Sequence, residues 1–151
     1  MGGYDIRPVI LALPVFLGLL GIVSAAAAAD GDVLKKFGML GTTAVDCAAP
    51  PSPSNPYVIF AVSPQGKATR TLKMMDSGLD ATLAIRNLRL LAPDTLQFNE
   101  TGRQSELTIT LVKVAGKFRS WRSVRADGTV LIADGKFPKT EKPTLAFTFC
   151  R

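Results

Sequence analysis

From Tyr57 to Arg151 the chain alternates apolar and polar residues in short runs, each ended by a turn signal. No run after Phe37 keeps a helical period through a dozen residues. Period-two alternation places successive side chains on opposite faces of a strand. Short alternating runs punctuated by Gly, Pro, Asn and Asp are the pattern of antiparallel strands joined by tight turns. That excludes a helical bundle and a parallel α/β sheet for this part of the chain.

The runs are YVIFAV (57–62), ATRTLKMM (68–75), TLAIRNLRLL (82–91), LQFNE (96–100), SELTITLVK (105–113), KFRSWRSVR (117–125), TVLIADG (129–135) and PTLAFTFCR (143–151). Pro64 in SPQG and Pro93 in APDT occupy the second position of a turn, where a fixed φ is an advantage. GTTAVDC (41–47) reads as an opening strand, and AAPPSPSNP (48–56) as a loop that its prolines keep extended. Residues 30–40 predict one short helix, with Asp32 as its cap and Val33, Leu34 and Phe37 on one stripe. The expected fold is all-β: an antiparallel up-and-down meander that closes into a small barrel of eight or nine strands. Closure removes free sheet edges. A two-sheet sandwich is the alternative.

The N-terminus carries Arg7, a long apolar run and the alanines of residues 25–29. That is the order of a secretory signal peptide, with cleavage expected near Ala29/Asp30. The apolar run is also long enough to span a membrane, but Pro14 and the small-residue end favour cleavage. The expected domains are therefore a signal peptide (1–29) and a single barrel (30–151), periplasmic or secreted. The two cysteines, Cys47 and Cys150, then predict one disulfide, which would tie the first strand to the last.

Histidine is absent. The commonest general base near neutral pH and the commonest metal ligand are thereby missing. With both cysteines bonded, no thiol nucleophile or soft metal site remains. No carboxylate pair or nucleophile elbow stands out, so the expectation is a protein that is not an enzyme and needs no cofactor. The net charge is +6. Removing residues 1–29 takes away one base and one acid and leaves it unchanged. An exported basic chain points away from nucleic acid and is compatible with contact at an anionic membrane surface.

Candidate binding positions come from the stretch SELTITLVKVAGKFRSWRSVRADGTVLIADGK (105–136). Reading both of its turns as three-residue loops ending in glycine pairs Lys113 with Lys117, places Ile109 opposite Trp121, pairs Arg125 with Thr129 and places Trp121 opposite Ala133. One face then carries Leu107, Ile109, Leu111, Arg119, Trp121, Ser123, Leu131, Ala133 and Gly135, and is taken as the interior. Arg119 would sit at the barrel mouth, Trp121 in the middle and Ser123 toward the other end. Arg89, with Asn87, forms a second polar element inside, unless its strand contains a bulge. Met74 and Met75 could line an adaptable pocket. Glu100 and Glu106 flank the TGRQS turn, where Arg103 could pair with them. An arginine above an aromatic and aliphatic floor suits a small amphipathic anion.

A short helix, GTTAVDC as first strand and a last strand ending in FTFCR make the chain resemble the small bacterial lipocalin-like (calycin-type) barrels. Gly41 matches the glycine of that family's Gly-x-Trp signature, Thr43 stands in place of the tryptophan, and Arg151 matches the arginine that packs on it. The resemblance implies binding of a small apolar or amphipathic ligand, or a lipid, inside the barrel. Small disulfide-stapled barrels that inhibit exported proteases or lysozyme offer a second expectation, in which residues 30–40 reach into an exported hydrolase. A structural role in the envelope is a third.

Overall fold

The computed structural model describes residues 23–151 apart from Ser77 and Arg103, with side chains from residue 30 onward. One helix, α1 (Val23–Phe37), precedes nine strands. These are β1 (Gly41–Ala44), β2 (Tyr57–Val62), β3 (Ala68–Lys73), β4 (Ala81–Ala92), β5 (Thr95–Thr101), β6 (Glu106–Val114), β7 (Lys117–Arg125), β8 (Val130–Ile132) and β9 (Ala146–Phe149). β1 to β7 pair in chain order, and β9 then bridges β7 and β1. All pairings are antiparallel, so eight strands form a closed barrel and the expected fold class holds. β8 is the additional strand. It takes the free edge of β7 beside Ser123 and Val124, while β9 takes the same edge beside Phe118 and Arg119. Cys47 and Cys150 are disulfide-bonded at the β1–β9 seam.

Helix α1 stops one end of the barrel. Leu34 and Phe37 are fully buried and Val33 packs against the same core, as their stripe predicts. The helix terminates at Gly38, whose φ of 75° is costly for any residue with a Cβ. Gly38 N donates to Lys35 O and Met39 N to Leu34 O, which satisfies the last carbonyls and turns Met39 into the core. Lys113 Nζ lies 5.7 Å and 5.2 Å from the ring centres of Phe37 and Phe118, so a cation rests on the aromatic pair beneath the helix. The expected cap at Asp32 is not formed, because the helix begins at least nine residues earlier and Asp32 lies within it. α1 also runs through residues 29–30, the expected cleavage point. The apolar segment before it, residues 1–22, falls outside the described residues.

Two irregularities decide what faces inward. In β4, Arg86 pairs with Asn99 and Arg89 with Gln97, leaving Asn87 and Leu88 opposite a single residue. Asn87 takes the left-handed conformation (φ 56°), which asparagine tolerates better than most residues. The bulge turns Leu88 into the core and leaves both Arg86 and Arg89 outside. Arg89 is therefore not an interior polar group. It donates to Gln97 Oε1 on the outer face.

The second irregularity lies between β6 and β7. The connection is a two-residue turn, with Ala115 at φ 50° and Gly116 at φ 75°. Two positive φ values mark the mirror-image turn whose twist matches that of a hairpin. Val114 therefore pairs with Lys117 and Lys113 with Phe118, one residue away from the three-residue reading. Phe118 and Ser120 turn inward. A bulge at Trp121 then restores the expected parity, and Ile109 pairs with Ser123 rather than Trp121. The β7–β8 connection is the expected three-residue loop: Arg125 N donates to Thr129 O, and Gly128 has φ 86°. A further bulge in β8 moves Trp121 from Ala133 to Gly135, whose N donates to Trp121 O.

Candidate functional site

The barrel interior is divided by what fills it. Near α1, Phe60, Phe98 and Leu96 are packed to zero or near-zero exposure, with Phe60 and Phe98 edge to face at 5.9 Å. Toward the other end the packing opens into a cavity of ≈ 270 Å³. The cavity begins at Met39, at the foot of α1, and passes Val58, Leu111 and Phe147. It emerges beside Pro56, Met74, Phe137 and Leu145. Pro56 precedes β2 and Met74 follows β3, so the opening lies at the end away from the helix. Phe137 and Leu145 are 45% and 42% exposed, which makes the rim itself apolar.

Polar groups at the wall are few. Thr43 Oγ1 donates to Val58 O, and Thr144 Oγ1 to Ser120 O, so both hydroxyls are used within the sheet. Arg119 and Arg70 are the charged residues among those that line the cavity. Arg119 is half-buried. Its Nη2 donates to Thr144 O at 3.1 Å, and its stem packs near Gly135. The expected place of Arg119 at a barrel cavity is thus met, through a different register from the one that predicts it.

Trp121 is not at the cavity. It is 38% exposed, and its ring packs against Gly135, where a Cβ would sit 3.2 Å from Cε3. The bulge that carries Trp121 is what expels it from the interior face. Ser123 does face inward, at 5% exposure, but lies outside the cavity wall. Ser120 and Ile132, expected on the outer face, line the cavity instead. Of the expected pocket methionines, Met74 lines it and Met75 is 78% exposed.

The most buried charges in the described residues were not anticipated. Glu100 on β5 is 1% exposed, and Arg70 on β3 reaches across β4 to it. Arg70 Nε donates to Oε2 at 2.5 Å and Nη2 to Oε1 at 2.7 Å, a two-pronged pair. Glu100 thus belongs to the core, not to the turn chemistry expected of it; Arg103 lies outside the described residues. Strand parity carries the signal that finds this pair. Arg70 alternates with Ala68 and Leu72, and Glu100 with Leu96 and Phe98, so each belongs to an inward set. Glu106 pairs outside with Arg86 at 2.7 Å.

Among the described residues, no group of three or more His, Cys, Asp or Glu side chains is placed to hold a metal ion. No described helix is long and apolar enough to cross a membrane. No family model matches this chain, and neither a curated protein nor a solved structure matches it.

Proposed function

We propose that the chain is an exported, non-enzymatic binding protein that holds one small, mainly apolar molecule in the open half of its barrel. The cavity carries this reading. It is apolar, stopped at one end by α1, and open at the other beside Phe137 and Leu145. Its ≈ 270 Å³ is near the lower end of the roughly 300–1,000 Å³ of small-molecule pockets. That capacity favours a short chain or a single ring over a two-chain lipid. The Cys47–Cys150 bond is compatible with an oxidising, exported location.

Residues 30–40, which an inhibitor of exported hydrolases would extend into its target, include the buried Leu34, Phe37 and Met39. They act here as a stopper rather than a tail, which favours the ligand-binding reading.

The test is native mass spectrometry on protein purified gently from its expressing cells, followed by titration with an apolar fluorescent reporter. A co-purifying mass, or a saturable one-to-one signal lost in Phe118→Trp, which fills the cavity floor, supports the reading. A bare mass together with no saturable binding of any apolar probe refutes it.

A further inference from the structure

Arg70 sits midway along β3, paired across the sheet with Phe60 and Leu83, and its side chain is only 16% exposed. A guanidinium carries five N–H donors and cannot lose its charge in a protein. The pair with Glu100 uses one donor on Nε and one on Nη2. The second donor on Nη2 and both on Nη1 have no acceptor among the described residues. Arg70 is at the cavity wall, and Glu100 is not. The otherwise apolar cavity therefore meets a set of unspent N–H donors whose positive charge is already balanced from behind.

We infer that Arg70 is the polar anchor of the cavity and that its occupant presents an uncharged hydrogen-bond acceptor, such as a ketone, ester or ether oxygen. The inference rests on the binding reading proposed above. An acceptor oxygen satisfies the free donors and leaves the Arg70–Glu100 pair intact. A carboxylate does not. It must either displace Glu100, stranding a carboxylate that is 1% exposed, or sit beside it as a second negative charge. Glu100 thereby works as a selectivity element that turns a cationic site into a neutral donor site. The other lining cation, Arg119, is the competitor. Among the described residues it has no acidic partner, and a bound anion would go there.

The test compares 2-octanone with octanoate at pH 8, by displacement of an apolar fluorescent reporter from the wild-type chain. At least tenfold tighter binding of the ketone is expected. Glu100→Gln should narrow or invert that ratio, because the anion no longer meets a buried carboxylate. The double variant Arg70→Met, Glu100→Leu leaves no unpaired buried charge, so it keeps the inference testable if the single variant does not fold. It should weaken 2-octanone at least tenfold while the reporter still binds. Three results overturn the inference and leave the binding reading standing: octanoate binding the wild type as tightly as the ketone, octanoate affinity that disappears in Arg119→Ala, or full ketone affinity in the double variant. Failure of the reporter and of both probes to bind the wild type overturns the binding reading as well.

Discussion

Glu100→Gln keeps the side chain's shape and removes its charge, and its cost follows from where the pair sits. Both carboxylate oxygens of Glu100 accept from Arg70, and the two side chains are 1% and 16% exposed. Without the carboxylate, the guanidinium stays charged in a space that water hardly reaches. Removing one partner of a buried ion pair costs about 3–5 kcal/mol. That is a large part of the roughly 5–15 kcal/mol that holds a typical domain folded. Glu106→Gln is the internal control. It breaks the Arg86–Glu106 pair at a similar distance, but the partners are 57% and 43% exposed and solvent already screens them. Such pairs contribute about 0–1 kcal/mol. Urea unfolding, with the disulfide intact and Trp121 as the fluorescent reporter, separates the two. For a slope of about 2 kcal/mol/M, Glu100→Gln should lower the midpoint by roughly 1.5–2.5 M and Glu106→Gln by less than about 0.5 M. The double variant Arg70→Met, Glu100→Leu should return to within about 1 kcal/mol of wild type or exceed it, since two apolar side chains need no partner. If Glu100→Gln costs less than about 1 kcal/mol, the pair is effectively solvated and the desolvation argument, with the selectivity built on it, is wrong.

Reducing Cys47–Cys150 should destabilise the fold by about 4–5 kcal/mol, because the bond closes a loop of sequence separation 103 in the unfolded chain; calorimetry with and without reductant measures it. Asn55→Ala should cost about 2–4 kcal/mol, at roughly 0.5–1.5 kcal/mol per bond. Its amide accepts from Asp46 N and donates to the carbonyls of Asp46, Ala49 and Pro50, which organises the loop behind the cavity rim; a denaturant midpoint unchanged from wild type would contradict this. Ala115→Gly should be neutral or stabilise by up to about 1 kcal/mol, because alanine at φ 50° pays a left-handed strain that glycine does not; a loss of stability would argue against the two-residue turn. The carboxyl of Asp127 is held below its ordinary value of 3.8 by hydrogen bonds from the Thr129 backbone N–H and side chain. A lowered folded-state value means that its contribution to stability is complete above the unfolded value and lost as pH falls through the folded one. An NMR titration should therefore place Asp127 below 3.8, and Thr129→Pro, which removes the N–H donor, should raise it.

The sequence by itself determined the class of this fold. Period-two runs too short for helices leave antiparallel strands as the way to bury one face, and closing them removes the free edges. The Leu34–Phe37 stripe marked the face of α1 that enters the core, and two cysteines near the ends of the domain allowed a single bond. Parity even placed Arg70 and Glu100 inward, although alternation within one strand cannot tell which charge on another strand will meet it. The tertiary structure decided the site. Three bulges, at Asn87, Trp121 and Leu131, each insert one residue and exchange the two faces of everything beyond it. The hairpin turn at Ala115 does the same, and alanine gives no sign of the left-handed conformation it adopts there. Trp121 and Arg89 therefore left the interior, and Phe118 and Ser120 entered it. A one-residue shift costs little in local backbone energy, and it is settled only when the whole barrel closes and the interior must be filled.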